Sequence, residues 1–177
     1  AAEGIRAGRT FSAGVVGLAP GYVMLPASAQ DAFVTHARAF VSRVFPALHT
    51  NPDYTAIISE RPFQRLPALL ADARAQGATV VELQPAGEPL ADATTRKIAP
   101  HLVLNAPPDC ELRTREIFGP VLPLIGYKTL AEPIAEINAA PRPLALYPFS
   151  HNKDQIEHLV GHIMSGGVTV NDAMLHT

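Results

Sequence analysis

The sequence contains a single cysteine, Cys110, in 177 residues. One cysteine cannot form a disulfide within the chain, and a protein without disulfides fits a reducing compartment. No apolar run approaches the roughly 20 residues that cross a bilayer. The start of the chain, Ala1 to Arg6, also lacks the apolar centre of a signal peptide. We therefore expect a cytoplasmic protein with no membrane partner.

Long runs of lysine or arginine are missing as well, and the formal net charge is -2. Nucleic acids and anionic membrane surfaces attract basic patches, which this composition does not supply. We therefore expect no nucleic-acid partner. The chain does not begin with methionine, and we expect it to be a piece of a longer protein.

Apolar residues make up 47% of the chain and charged residues 17%, a balance typical of globular proteins. A chain of this length forms one domain and can bury roughly 70% of its unfolded surface. We therefore treat residues 1–177 as a single domain.

Segments with the patterns of strands and helices alternate along the chain. Strands are predicted at 22–25, 79–83, 101–104, 121–127, 144–149 and 168–170, and 55–58 is either a short strand or a buried turn. Helices are predicted at 28–46, 63–77, 129–137 and 152–163. Three of them start with a predicted capping pair, namely Ser28 with Asp31, Thr129 with Glu132, and Asn152 with Gln155. This alternation predicts an α/β fold of three layers, a mostly parallel sheet flanked by helices.

The segment from Thr10 to Tyr22 resembles the active-site signature of aldehyde dehydrogenases. In that signature a glycine is followed by Gln or Glu, any residue, and the catalytic cysteine. Here Gly14 is followed by Val15, where the amide or acid is expected, and Gly17 stands where the thiol is expected. The resemblance marks Gly17 as the nucleophile position, but glycine has no side chain that could form a covalent adduct.

A second block, Arg115 to Pro123, resembles the Glu-Glu-Ile-Phe-Gly-Pro-Val block of the same family, with Arg115 replacing the first acid. The resemblance implies that Glu116 hydrogen-bonds the ribose next to the nicotinamide and that Phe118 lies beside the cofactor ring. A carboxylate suits that role because it accepts hydrogen bonds from ribose hydroxyls. Without the surrounding block, a solvated glutamate beside a core phenylalanine would be the better interpretation.

Two further blocks, Asn138 to Tyr147 and Ser165 to His176, are similar to the branch of the family that includes coniferyl aldehyde dehydrogenases. In the wider family the asparagine that matches Asn171 helps to hold the nucleophile loop. The resemblance covers residues 1–177 in unbroken order, and several separated blocks are more specific than one motif.

The resemblance implies part of the catalytic domain of an enzyme that oxidises an aldehyde to a carboxylic acid with NAD or NADP. The family's cofactor domain, general base, oxyanion-hole asparagine and C-terminal tail have no counterpart here, and Gly14, Gly17 and Gly21 do not form a G-x-G-x-x-G turn. We expect this chain alone to be inactive and to bind neither NAD nor NADP tightly. Apolar faces left bare predict a homo-oligomer. The alternative is a non-catalytic homologue acting as an interaction or scaffold module.

Five other residues could carry chemistry. Adjacent acids disfavour a thiolate at Cys110, which we expect to be structural, and Ser12 lacks an identifiable base. The spacing of His158 and His162 could place two imidazoles on one metal ion, but we expect a solvated helix face and no metal site. Arg142, between two prolines, either binds an anion or caps a loop.

Overall fold

The computed structural model describes residue 14 and residues 16–174. The helices are α1 (Gln30–Val44), α2 (Glu60–Ala75), α3 (Glu111–Thr114), α4 (Ala131–Ala139) and α5 (Lys153–His162). The strands are β1 (Val23–Pro26), β2 (Thr79–Glu82), β3 (Ala91–Asp92), β4 (Lys97–Ile98), β5 (His101–Leu104), β6 (Val121–Tyr127), β7 (Ala145–Leu146) and β8 (Gly167–Val168).

The central sheet has four strands in the order β1, β6, β5, β2. Strand β6 pairs in parallel with both β1 and β5, while β2 is antiparallel to β5 at the edge. Parallel neighbours require crossover connections, which here carry the helices. The prediction of a mostly parallel sheet is therefore confirmed.

Helices cover both faces of this sheet. On one face α2 packs through Leu66 and Leu70 against Val103 of β5 and Val121 of β6. On the other face the buried side of α1 packs against the alternate residues of the same strands, together forming a cluster of Leu25, Phe33, Ala37, Val41, Leu102, Leu122 and Leu124. Successive side chains of a strand point to opposite faces, so β5 and β6 are apolar almost throughout. The three-layer prediction is confirmed.

The predicted capping pair of Ser28 and Asp31 is wrong. A turn of 3-10 helix at Ala27–Ala29 leads into α1, whose first residues receive no side-chain cap. At α5 the predicted cap is confirmed, because the Asn152 side chain accepts a hydrogen bond from the backbone N–H of Gln155 at 3.3 Å. At α4 the predicted pair is in contact, because the Glu132 side chain accepts a hydrogen bond from the backbone N–H of Thr129 at 3.0 Å. The N-cap residue is Leu130, however, so the helix begins one residue later than predicted.

Two predicted strands near the end of the chain are shorter than expected. The apolar run at 144–149 contributes only β7, and 168–170 contributes only the first residue of its range to β8. Pro143 and Pro148 bracket β7, and proline has no backbone N–H to donate to a strand ladder. At 55–58 neither alternative forms, because the segment is irregular and only Ile57 is buried, whereas Thr55 and Ile58 are exposed.

Among the described residues, none of the helices combines the length and apolar character that crossing a bilayer demands.

His101 of β5 is a buried polar residue within the sheet, only 3% exposed. Its Nδ1 lies 2.7 Å from the carbonyl oxygen of Ala99, and because a carbonyl only accepts, the ring donates from Nδ1. Burial lowers the pKa of His101 from its ordinary value of 6.5, outweighing the backbone hydrogen bond, which raises it. The folded protein therefore binds a proton at His101 less readily than the unfolded chain does.

We expect the free energy of unfolding to fall as the pH falls below about 6.5, because the unfolded chain then takes up a proton that folded His101 resists. The contribution of one such group changes by at most about 1.4 kcal/mol per pH unit. Urea unfolding between pH 7.5 and 5.5 measures the slope, which His101→Gln should flatten. The exposed His162→Gln is the control, and an equal slope in all three proteins would contradict the assignment.

Candidate active site

The parallel pairing of β1 with β6 places two loops side by side. Val23 is level with Leu124 in the ladder. Gly17 lies six residues before Val23, and Phe118 lies six residues before Leu124. Loops that enter neighbouring parallel strands lie at the same edge of the sheet. The loop that carries Gly17 and the Arg115–Gly119 segment therefore lie side by side at the amino ends of β1 and β6.

The loop that carries Gly17 is tightly turned. The backbone N–H of Ala19 donates to the carbonyl of Val16 at 2.9 Å, and buried Gly14 has a φ of 71° that suits glycine. Gly17 itself is exposed, and a Cβ atom added there would meet no atom within 4 Å. The backbone thus leaves open space where a catalytic side chain would stand.

The Arg115–Gly119 segment is held in place by contacts with α2. Ile117 is buried, and Arg65 of α2 donates hydrogen bonds to the carbonyls of Ile117 and, at 3.3 Å, of Glu116. Phe118 has a φ of 49°, in the left-handed region, which costs of order 1–3 kcal/mol for a bulky residue. Gly119 packs so closely on α2 that an added Cβ would lie 2.6 Å from Leu66 Cδ2.

This anchoring turns the side chains of Glu116 and Phe118 outwards. Phe118 is 39% exposed and Glu116 is exposed. Among the described residues, the carboxylate of Glu116 has no hydrogen-bond or ion-pair partner, whereas the neighbouring Arg115 pairs with Glu111 at 3.0 Å. Glu116 is therefore able to accept hydrogen bonds from a bound hydroxyl group.

Both loops line one groove of about 1190 Å³. Its wall includes Gly17, Glu116 and Phe118, as well as several aromatic residues, namely Tyr22, Phe33, Phe40, Tyr127, Tyr147 and Phe149. A largely apolar concavity with few polar groups is typical of a small-molecule site. The groove is the candidate active site.

Tyr147, which lines this groove, links the segment around β7 to the Gly17 loop. The sequence did not predict this role. Its hydroxyl donates to the carbonyl of Leu18, next to Gly17, at 2.9 Å. Burial raises the pKa of Tyr147 above its ordinary value of 10.0, so the hydroxyl keeps its proton at neutral pH. The tyrosine stood in a block that the resemblance had already marked, but the contact spans 129 residues of sequence, and no local pattern reveals it.

Asn171 does not line the groove but holds the segment that carries Tyr147. Its side-chain oxygen accepts from the backbone N–H of Ser150 at 3.0 Å, and its side-chain nitrogen donates to the Ser150 carbonyl at 3.0 Å. The Asn171 backbone N–H donates to Pro148 at 2.8 Å. Within the described residues, Asn171 is therefore linked to the Gly17 loop through the segment that carries Tyr147, and loop support remains its predicted role.

Other candidates lie elsewhere. Cys110 is fully buried in the cluster beneath α2, in keeping with a structural cysteine. Arg142 donates to the carbonyl of Ser165 at 2.8 Å, which is the loop-capping alternative. Val15 and Ser12 lie outside the described residues. Within the described part of the chain no three His, Cys, Asp or Glu residues cluster in a way that could hold a metal ion.

Comparison with known proteins identifies the class of protein. The family model described as "Aldehyde dehydrogenase family" matches residues 1–177. The chain therefore belongs to the aldehyde dehydrogenase family, whose enzymes act on aldehydes with NAD or NADP. The resemblance drawn from the sequence is confirmed.

Within the family, the chain is similar to coniferyl aldehyde dehydrogenases. It is 46% identical over 176 residues to the probable coniferyl aldehyde dehydrogenase of Caulobacter vibrioides, covering 99% of this chain and 36% of that protein. It is 44% identical over 168 residues to the coniferyl aldehyde dehydrogenase of Pseudomonas sp., covering 95% of this chain and 35% of that protein. The chain thus spans about a third of the length of these relatives.

A solved structure supports the fold. The substrate-bound state of Staphylococcus aureus AldH superposes with a TM-score of 0.88 at 30% identity, covering 99% of this chain and 37% of that one. Lactaldehyde dehydrogenase from Escherichia coli, at 20% identity and a TM-score of 0.82, shares the fold.

The open space at Gly17 predicts that Gly17→Cys introduces a reactive thiol without disturbing the fold. A disulfide reagent should label one thiol in the native variant and none in the native parent chain, because Cys110 is buried. The free energy of unfolding should change by no more than about 0.5 kcal/mol.

Gly119→Ala is the matched control, since its Cβ would collide with Leu66. Overpacking of this kind costs about 1–3 kcal/mol. An unreactive thiol in native Gly17→Cys, or labelling of the native parent chain, would show that the loop is arranged differently.

Proposed function

We propose that this chain is a single, partial catalytic domain of a coniferyl-type, NAD(P)-dependent aldehyde dehydrogenase in which the nucleophile is absent, and that the chain alone oxidises no aldehyde. One observation carries this proposal. Gly17, the residue that the resemblance places at the catalytic cysteine, lies in open space on the same groove as Glu116 and Phe118.

In the parent chemistry a thiolate adds to the aldehyde carbon, hydride leaves to the nicotinamide, and water hydrolyses the resulting thioester. Gly17 cannot form that thioester. Cys110 cannot replace it, because its side chain is fully buried in the core on the α2 face of the sheet. The sequence therefore offers no exposed cysteine for the first covalent step.

The residues of the groove fit one end of the cofactor. The free carboxylate of Glu116 would accept the hydroxyls of the nicotinamide ribose, and the half-exposed ring of Phe118 would lie against the nicotinamide. When bound, NAD or NADP supplies the hydride acceptor. Because the sequence has no glycine-rich turn for the pyrophosphate, we expect weak binding of either dinucleotide.

We expect no aldehyde-dependent formation of NADH or NADPH by the purified chain with coniferyl aldehyde or a simple aliphatic aldehyde. Absorbance at the reduced-nicotinamide band measures the reaction, with a heat-killed sample as the control. Turnover above that control would overturn the proposal, since it would require a nucleophile other than a residue at position 17.

A second candidate, a non-catalytic interaction module, is favoured by the surface around β7 and β8. Four apolar side chains are exposed there, with Leu144 at 67%, Met164 at 69%, Val168 at 37% and Val170 at 42%. We name them the β7–β8 patch. Exposed apolar patches mark sites of association, and a second copy of this chain is the partner that we propose.

Sedimentation velocity tests this association. The chain should sediment as a dimer or larger species at micromolar concentration, and the double variant Leu144→Lys, Met164→Lys should shift it towards the monomer. Ile58→Lys is the matched control, because Ile58 is equally exposed but lies outside the β7–β8 patch. A monomeric parent chain, or an equal shift in the control, would contradict the proposal.

A further inference from the structure

Two histidines of α5, His158 and His162, lie one helical turn apart on its exposed side. Their ring centroids are 4.1 Å apart, with an angle of 39° between the rings. Both side chains are exposed. Residues four positions apart lie on one face of a helix, so the helix geometry itself places the two imidazoles next to each other.

A hydrogen bond determines which nitrogen of His162 is free. Its Nδ1 lies 2.7 Å from the carbonyl oxygen of His158 and must donate, because a carbonyl only accepts. In the neutral ring this leaves the lone pair on Nε2, pointing away from the helix backbone. Metal-binding histidines are commonly oriented in this way, with the other ring nitrogen bound to a carbonyl.

His158 is also available as a ligand. Among the described residues neither of its ring nitrogens has a hydrogen-bond partner. Asp154 precedes His158 by one turn on the same helix, so its negative charge lies on the side where a cation would bind.

The helix that carries the pair is held in place. Asn138 of α4 donates to the carbonyl of His162 at 2.8 Å, and Ile163 at the end of α5 is buried. Leu159 and Ile163 line the groove, while the histidines stay exposed on the outer side of the helix. The pair is therefore separate from the candidate active site.

In place of the bare solvated helix face expected from the sequence, we propose that His158 and His162 bind one divalent transition-metal ion, with water completing its coordination. Two imidazoles favour Cu²⁺, Ni²⁺ or Zn²⁺ over Mg²⁺, which prefers oxygen ligands. The absence of a third protein ligand within the described residues makes this a two-ligand surface site. An ion bound by both imidazoles would bridge one turn of α5, as the four-residue spacing allows.

Isothermal titration calorimetry of the full chain with Cu²⁺ and, separately, Zn²⁺ tests the site. At pH 7.5 we expect one tightest-bound ion per chain, and the binding should weaken as the pH is lowered to 5, because protons compete with a metal ion for imidazole ligands. Each of His158→Gln and His162→Gln should weaken the affinity at least tenfold. Mg²⁺ should give no heat of binding.

His151→Gln and His36→Gln are the matched controls, because both histidines are exposed and neither is part of the pair. Circular dichroism of each variant checks that α5 and the rest of the fold are kept. Unchanged Cu²⁺ affinity in His162→Gln, or a loss as large in a control, would place the ion elsewhere. Absence of Cu²⁺ binding to the parent chain at pH 7.5 would also overturn the proposal.

Discussion

The parallel pairing of β6 with β1 is the constraint on which the candidate site depends. Because the two strands run in the same direction in register, the segments that enter them arrive at the same edge of the sheet. One segment carries Gly17, and the other carries Glu116 and Phe118. The sheet itself is fixed by apolar side chains on both faces, so the position of the groove follows from core packing rather than from contacts within the groove.

Around this constraint, a small number of polar contacts shape the loops. The hydroxyl of Tyr147 holds the Gly17 loop, and Asn171 in turn holds the segment next to Tyr147. Phe118 and Asn171 both have positive φ values, of 49° and 60°. Strained backbone of this kind persists where the surroundings impose it, and it is frequent at functional sites. These contacts thus shape the candidate groove beside Gly17, which has no side chain.

Much of the fold could be predicted from the sequence because its signals are local. Strand β6 was predicted at its observed bounds, and the helix between Ser59 and Gly77 follows from the spacing of its apolar residues. The capping pair at Ser28 was wrong because a 3-10 turn after Pro26 begins the helix instead. The strand predicted at 144–149 is longer than the observed β7, because the prediction followed the apolar character of the segment and gave less weight to the two prolines that bracket β7.

The site was less accessible to local reasoning. Gly17 has no side chain, so only its place in a family signature marks it, and the family membership of the chain supports that assignment. Glu116 alone looks like a surface glutamate. The Tyr147 contact joins residues 129 positions apart, which only the folded chain brings together. The functional roles of Gly17, Glu116, Phe118 and Asn171 therefore remain predictions that rest on the family and agree with the geometry.

The central claim is that Gly17 occupies the position of the family's catalytic cysteine, so that this part of the enzyme lacks its nucleophile. The most direct measurement replaces the matching third of the Caulobacter vibrioides relative with this chain and compares two chimeras, one with Gly17 and one with Gly17→Cys, for aldehyde-dependent formation of reduced nicotinamide. The account predicts that the Gly17 chimera is inactive and that the Gly17→Cys chimera, folded to the same extent by circular dichroism, turns over aldehyde. Activity in the Gly17 chimera, or none in a folded Gly17→Cys chimera, would contradict it.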